Sequence, residues 1–243
     1  MILYERHNQI IDHLRKKRIS SVKELAKITF SSESSIRRDI KTLEKQGYLK
    51  QTYGGVVLVS ESGGVVPLTL RDTSNSSVKD ELARRAAEYV FDGATILMDG
   101  SSTVRRIIKH INKEYSLNII TNNCTALEEA ALYLDKAKIF CTGGMFVASS
   151  NIFIGSAAEG FIKNTNADIL FFSSQAISED GEISDASEEE TSLRKVMLSR
   201  AKKKIFLCDS SKVGKRRTFT LCSKNDIDCI VCDKALPWEE KSY

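Results

Sequence analysis

Two groups of residues in this chain have the types and spacing to do chemistry. In the first, Ser34, Arg38, Lys41 and Lys45 recur at i, i+4, i+7 and i+11. On a helix they share one face. Ile36, Ile40 and Leu43 recur at i, i+4 and i+7 and make an opposing apolar stripe. A helix with one buried stripe and a face of hydroxyls and cations can lie in a groove of DNA. Hydroxyl and guanidinium groups there reach base edges, and amines meet phosphates. The second group is three polar loops, Asp99 to Thr103, Thr121 to Asn123 and Thr142 to Gly144, each directly after a short apolar run. In Asp99-Gly100-Ser101-Ser102-Thr103 a glycine and three hydroxyls straddle the expected start of a helix. Free N–H groups and the helix dipole favour an anion there, and small residues let a phosphate approach the backbone. Each loop alone reads as an ordinary turn or N-cap. Three at one edge of a sheet favour a ligand site.

The elements that must position the first group come early. Residues 3–17 read as a helix with Leu3, Ile10, Ile11 and Leu14 on one face, ending in Arg15-Lys16-Lys17-Arg18. Ser21-Val22-Lys23-Glu24 has the spacing of a capping box, so a second helix starts there and carries Leu25 and Ile28. Phe30-Ser31 makes a turn, Ser32 caps the third helix, and Gly47 ends it. Asp39 lies about 60° from the apolar stripe and reads as structural. Residues 48–51 and 56–59 read as two strands joined by Tyr53-Gly54-Gly55. Three helices followed by a hairpin predict a winged helix, with a helix-turn-helix at about 20–39.

The second group sits in a longer region. Residues 78–90 read as a helix, and apolar runs at 95–98, 117–120, 138–141, 169–172, 205–208 and 227–232 read as strands. Helices are expected between them, at 103–111, 126–134, 157–163 and 192–201. This alternation predicts a mainly parallel sheet covered on both faces. Between the halves, Ser60-Glu61-Ser62-Gly63-Gly64-Val65-Val66-Pro67 breaks both patterns, and Ser74-Asn75-Ser76-Ser77 reads as the cap of the next helix. The expected division is a winged helix at 1–59, a linker at 60–74 and an α/β domain at 75–243.

Composition narrows the partners. The 243 residues carry a net charge of +4 with 42% hydrophobic content. Residues 1–60 hold 12 Lys+Arg against 6 Asp+Glu, and the remainder holds 24 against 26. The basic excess therefore sits in the small first part, as in a nucleic-acid-binding module joined to a neutral one. No run reaches the roughly 18 apolar residues of a membrane span, and the N-terminus lacks a signal-peptide core, so a cytoplasmic protein is expected. All six cysteines lie from Cys124 onward, most of them in apolar runs. Cys229 and Cys232 have CxxC spacing inside a strand-like run, without the second pair or histidines of a zinc site. No metal and no cofactor is expected.

Several motifs resemble one family. The segment from Arg6 to Leu58 is similar to the DNA-binding domain of the DeoR family of bacterial transcription regulators. Ser35-Ile36-Arg37-Arg38-Asp39-Ile40 resembles that family's Thr-Ile-Arg-Arg-Asp-Leu, and Leu43-Glu44 through Gly47 and Gly54-Gly55 also match. Phe30 stands where the family has a turn glycine, so a left-handed turn residue is not expected. Ser31 replaces a valine, and Tyr53 replaces a histidine but can still donate to a phosphate. The resemblance implies that Ser34, Ser35 and Arg38 face base edges, beside the cap Ser32. Arg37, Lys41, Lys50 and Tyr53 would then meet phosphates.

The likeness continues to about Asp233. Asp99 to Thr103 is similar to the family's Asp-Ser-Gly-Thr-Thr loop, with the glycine displaced by one position. Thr121-Asn122, Gly143-Gly144 and Asp209-Ser210-Ser211-Lys212 match further motifs. This half resembles the family's effector-sensing domain, which is related to phosphosugar isomerases. The resemblance implies a phosphorylated sugar or sugar-like effector, its phosphate held by Ser101, Ser102 and Thr103 with Lys212. Asp99 and Asn122 would bond sugar hydroxyls, with Gly100, Thr121, Gly143 and Gly144 around them. Ser173-Ser174-Gln175-Ala176 stands where the family has a Gly-rich acidic stretch. Proton transfer needs a base poised there, so no catalytic residue is expected. Asp180, Glu182 and Asp185 read as a solvated turn. The function implied is a DNA-binding repressor of carbohydrate genes, at least dimeric, that binds a double-stranded operator and no membrane. The alternative is a phosphosugar isomerase-like enzyme with an accessory winged helix, which an isomerase assay would separate.

Overall fold

The computed structural model describes residues 3–17, 19–45, 48–58, 71–72 and 75–238. The chain divides into two compact units, 1–71 and 72–243. Gly47 and nearly all of the segment expected as a linker lie outside the described residues.

In the first unit, helices α1 (Leu3–Lys16), α2 (Val22–Ile28) and α3 (Glu33–Lys45) enclose one core with a small sheet. That sheet has the order β1 (Ile19–Ser20), β3 (Gly55–Leu58), β2 (Leu49–Thr52), all antiparallel. Ile10 and Leu14, Leu25, and Ile36, Ile40 and Leu43 bury their side chains together with Leu49, Val56 and Leu58. The 3.6-residue stripe and the period-2 strand pattern therefore point at the same interior.

Two local devices differ from expectation. Ser21 accepts the Glu24 N–H at 3.2 Å, which is half a capping box. The Glu24 carboxylate turns away instead, to Lys17 at 2.7 Å and the Ser20 hydroxyl at 2.8 Å. Those donors hold it below the usual carboxylate range. Phe30 does adopt the left-handed region, at φ 50°, with its ring 93% exposed. Ser31 N–H reaches Ala26 O at 3.0 Å and Phe30 N–H reaches Lys27 O at 3.3 Å. These are the two bonds of a Schellman ending, so the turn keeps the glycine geometry with a phenylalanine in it.

The second unit is built on a six-stranded parallel sheet. Its order is β14 (Cys229–Cys232), β12 (Ala201–Cys208), β9 (Ala167–Phe172), β4 (Thr95–Met98), β5 (Asn118–Thr121), β6 (Lys138–Cys141). Alternate residues of the inner strands feed opposite cores, so their buried stretches are apolar without a break, as at residues 169–172 and 205–208. Ile96, Ile169, Phe171, Ile205 and Leu207 face one core with helices α4 (Ser76–Ala87) and α5 (Cys124–Tyr133). Leu97, Leu170, Phe172 and Phe206 face the other, with α6 (Ser156–Lys163) and α7 (Glu188–Arg200).

Two smaller sheets add to the expected plan. A hairpin pairs β7 (Met145–Val147) with β8 (Ile152–Ile154). An antiparallel trio has the order β10 (Ala176–Ile177), β11 (Glu182–Asp185), β13 (Phe219–Ser223). The segment read as a solvated turn is therefore partly strand, and Asp185 is buried in it.

Candidate functional site

On α3 the apolar stripe is buried and the opposite face is open. Ser32 Oγ accepts the Ser35 N–H at 3.2 Å and lies 2.9 Å from the hydroxyls of both Ser34 and Ser35. Arg38 and Lys41 are exposed, with no ion pair among the described residues. Arg37 makes a loose one, 3.8 Å to Glu33 one turn earlier. Lys50 on β2 and Tyr53 in the following turn are exposed as well. Asp39 faces inward. Arg6 of α1 donates to its two oxygens at 2.5 and 3.1 Å, and His7 lies 3.3 Å away. Its carboxylate therefore clamps α3 to α1. Glu44 accepts both the backbone and side-chain N–H of Gln51, at 2.8 and 2.7 Å, tying the hairpin to α3.

The second site lies at the carboxyl edge of the parallel sheet. The winding reverses between β4 and β9, with β5 and β6 on one side and β12 and β14 on the other. Ligands bind at such a switch point. Asp99 follows β4 and Ser173 follows β9, and the Ser173 N–H donates to Asp99 Oδ2 at 3.2 Å. Asp99 Oδ1 accepts the Ser101 N–H at 3.0 Å. Arg194 of α7 closes the cluster by donating to Asp99, Asp185 and Glu190 at 2.8, 2.9 and 2.7 Å. All four are buried. Burial alone would weaken the guanidinium's hold on its proton; Asp185, Asp99 and Glu190 more than reverse that and raise its pKa.

A narrow cleft here is lined by Asp99, Gly100, Asn122, Glu190, Leu193, Arg194 and Met197. Asn122 Nδ2 donates to Phe153 O at 3.0 Å. Its Oδ1 is buried without a hydrogen-bond partner among the described residues. Beside this cleft two amines meet hydroxyls of the same edge. Lys79 Nζ donates to Ser102 Oγ at 3.3 Å, and Lys212 Nζ to Ser173 Oγ at 2.9 Å. Lys212 also lies 3.5 Å from Asp209. Burial first, and then the charge of Lys212, bring the Lys79 pKa down to about 7. Burial would raise the Asp209 carboxyl, but Lys212, Ser211, Lys79 and Asn75 outweigh it and hold it low. An oxyanion placed between the two ammonium groups would relieve their repulsion.

The remaining loop residues do other work. Val104–His110 is a seven-residue 3₁₀ helix, not the α-helix expected after Thr103. Ser101 Oγ already accepts the Val104 N–H, at 3.1 Å. The helix-dipole argument for an anion therefore weakens, and the two lysines supply the positive field instead. Thr103 is buried without a side-chain capping bond. Thr121 Oγ1 accepts the Asn123 N–H at 3.1 Å. A Cβ on Gly100 would stand 2.4 Å from Ile152, so this glycine makes room for β8. Gly143 and Gly144, at φ 63° and 108°, turn the chain into β7 and are not part of the cleft lining. Asn75 precedes α4 but makes no side-chain cap; it donates to Asp209 at 3.2 Å.

Lys79, Ser173, Asp185, Glu190, Arg194 and Asp209 were not among the expected site residues. Two of them leave a trace in the sequence. Lys79 falls in the buried stripe of α4 with Leu82, Ala83 and Ala86, and Arg194 in that of α7 with Leu193 and Met197. A cation at an apolar position of an amphipathic helix signals an interior partner.

Comparison with known proteins adds the family. Residues 6–62 match the DeoR-like helix-turn-helix domain, and residues 74–234 match the DeoR C terminal sensor domain. The chain is 29% identical to the HTH-type transcriptional regulator GolR of Listeria innocua, over 97% of this chain and 92% of that one. It is also 29% identical to a putative aga operon transcriptional repressor of Escherichia coli O157:H7, over 96% and 87%. Among solved structures it aligns with ribose 5-phosphate isomerase A of Methanocaldococcus jannaschii at 18% identity and a TM-score of 0.43. That alignment covers 58% of this chain and 55% of the isomerase, a likeness too loose to bear on function.

Proposed function

Because the chain belongs to the DeoR family of helix-turn-helix transcriptional regulators, we propose that it represses carbohydrate-metabolism genes and releases or grips its operator in response to a phosphorylated sugar-type molecule. The observation that carries the effector half is the pair of amines, Lys79 and Lys212, held against Ser102 and Ser173 at the switch point of the sheet. They suit a phosphate. Beside them the buried, unpartnered acceptor Asn122 Oδ1 suits a hydroxyl of the sugar. Ser101 and Thr103 shape this loop, and Asp99 fixes it. On the other unit Ser34, Ser35 and Arg38 read base edges, with Arg37, Lys41, Lys50 and Tyr53 on phosphates. Residues 1–59 serve as the DNA-binding domain, 60–74 as a linker and 75–243 as the sensor. The protein acts in the cytoplasm, as a dimer or higher oligomer, because an operator with two half-sites needs two recognition helices.

We propose no isomerase activity. A catalytic base must be poised within reach of the substrate proton. Asp99, Asp185 and Glu190 are each ion-paired to Arg194, and the segment after β9 carries Ser173, Ser174 and Gln175 in place of an acidic stretch.

The test is a thermal-shift screen against sugar phosphates, each beside its unphosphorylated parent. A ligand that binds only the folded state raises the melting temperature by mass action. One ester should stabilise where its parent does not, and that ester should then change operator affinity. A screen in which parent sugars shift the melt as much as their esters would refute the phosphate reading.

A further inference from the structure

Large apolar side chains exposed in the second unit are not scattered. Among its described residues they are Phe91, Leu132, Tyr133, Phe140, Met145 and Phe146. All but Phe91 belong to the edge strand β6 or to the elements joined to its two ends. Leu132 and Tyr133 end α5, Phe140 is in β6, and Met145 and Phe146 are in β7. Helix α5 leads into the start of β6, and β7 follows its end, so the cluster runs along the whole strand. β6 is also an edge strand, paired only with β5 among the described residues. Its outer row of N–H and C=O groups has no ladder partner, and such an edge invites pairing with another strand. Of the edge-protecting devices, the strand has its short length of four residues and the exposed Lys138 at its start, but no proline. At the opposite edge, β14 exposes no large apolar side chain among the described residues.

We propose that this edge is where two copies of the chain associate, β6 pairing antiparallel with β6 of a second copy about a two-fold axis. A two-fold interface uses the same patch on both partners, and an edge strand meets its own copy antiparallel. The area fits. The five side chains are exposed by 73, 43, 41, 62 and 47% in chain order. At about 150–250 Å² for a whole large side chain, they offer roughly 500 Å² of apolar surface per copy. A stable pair buries about 800 Å² per partner, and homodimer interfaces are about 65% apolar. The cluster therefore supplies about the apolar share that a dimer needs. Lys138 and the exposed Glu128 of α5 flank it with opposite charges.

The test is sedimentation of the full-length protein at micromolar concentration, with and without the double substitution Met145→Glu and Phe146→Glu. The unaltered chain should sediment as a dimer or larger. The double variant should drop one step in assembly, its dissociation constant raised about tenfold or more. Phe91→Glu, away from the edge, should change nothing. A monomeric unaltered chain, or a folded double variant that assembles normally, overturns the proposal. Should the variant fail to fold, hydrogen exchange of the unaltered protein decides. Amides of Lys138 to Cys141 should be slower at high protein concentration than at low, and exchange independent of concentration overturns it.

Discussion

The two candidate sites hold their charges in opposite ways. On α3, Arg38 and Lys41 stand in solvent and take no partner within the described structure. At the sheet edge, Arg194 is buried and bonded to three carboxylates, while Lys79 and Lys212 lean on serine hydroxyls. The first arrangement costs the fold almost nothing and leaves cations available to a polyanion. Binding there is tuned by salt through counterion release. The second is assembled before any ligand arrives, and its cost is carried by the fold. Selectivity there follows from which buried groups a ligand can satisfy. Breaking the paired charge of Arg194 should therefore cost stability in the crevice, whereas breaking a charge on the helix should cost affinity.

The largest effect should come from Arg194→Leu. It leaves Asp99, Asp185 and Glu190 buried around an apolar side chain. Breaking a buried ion cluster in this way costs about 3–5 kcal/mol. Thermal or urea unfolding should show the loss in the transition of the second unit, with that of the winged helix unmoved. An Arg194→Leu protein as stable as the parent would mean the carboxylates take up protons or water at little cost. The contrast between the sites would then fail.

Arg38→Ala should do the reverse. The side chain is exposed, so unfolding should stay where it is. Operator affinity should fall by about 1–3 kcal/mol, with preference relaxed at one base pair. Lys41→Ala should weaken all sequences alike and reduce the salt slope by about one. Fluorescence anisotropy on matched and altered operators, at two salt concentrations, separates the two behaviours. Equal losses on every sequence for Arg38→Ala would move that residue from base reading to phosphate contact.

This contrast also explains what could be read in the chain beforehand. The winged helix was legible because an exposed face and a buried stripe alternate within one helix, and Ile36, Ile40 and Leu43 report that period directly. The parallel sheet was legible because strands buried on both faces are apolar throughout, as in Ile169 to Phe172. The crevice was only half legible. Asp99 and Asn122 announce themselves by following a strand, but the groups that bond and charge the site come from far along the chain. Lys79 precedes Ser102 by 23 positions, and Arg194 follows Asp99 by 95. Spacing carries no information about such pairs, and only the odd cation in an apolar stripe hints at them. The β7–β8 hairpin went unread for a different reason. It covers one face of the sheet with short strands, and Gly100 reports its approach only once Ile152 is in place.

Phe30 sharpens the comparison from the side of the winged helix. A left-handed residue with a Cβ costs about 1–2 kcal/mol relative to a right-handed one, and glycine escapes most of that. Phe30→Gly should therefore stabilise the first unit by about 1 kcal/mol after the greater flexibility of glycine in the unfolded chain is subtracted. The ring is almost wholly exposed, so no packing is lost with it. Unchanged or lower stability would mean that the left-handed turn costs Phe30 no more than glycine's added freedom costs in the unfolded chain.

The smallest effect is a fraction of one proton, and it tests whether Lys79 belongs to the ligand site. The ordinary lysine value of 10.5 applies to the unfolded chain, and burial beside Lys212 brings the folded value to about 7. Between those values the unfolded chain holds a proton that the folded chain lacks. Stability from this group therefore rises with pH across the window and is lowest below it. An anion bound between the amines restores the lysine's proton affinity. Binding of a stabilising sugar phosphate should accordingly take up most of one proton at about pH 8 and little at about pH 6. Calorimetric titration in two buffers of different ionisation enthalpy reads that uptake. Lys79→Met should abolish it and weaken binding, yet raise the stability of the unliganded sensor near neutral pH, because a buried charge is gone. Binding without proton uptake in the unaltered protein would place the phosphate away from Lys79. The crevice would then hold its ligand through Lys212 and the serine hydroxyls alone.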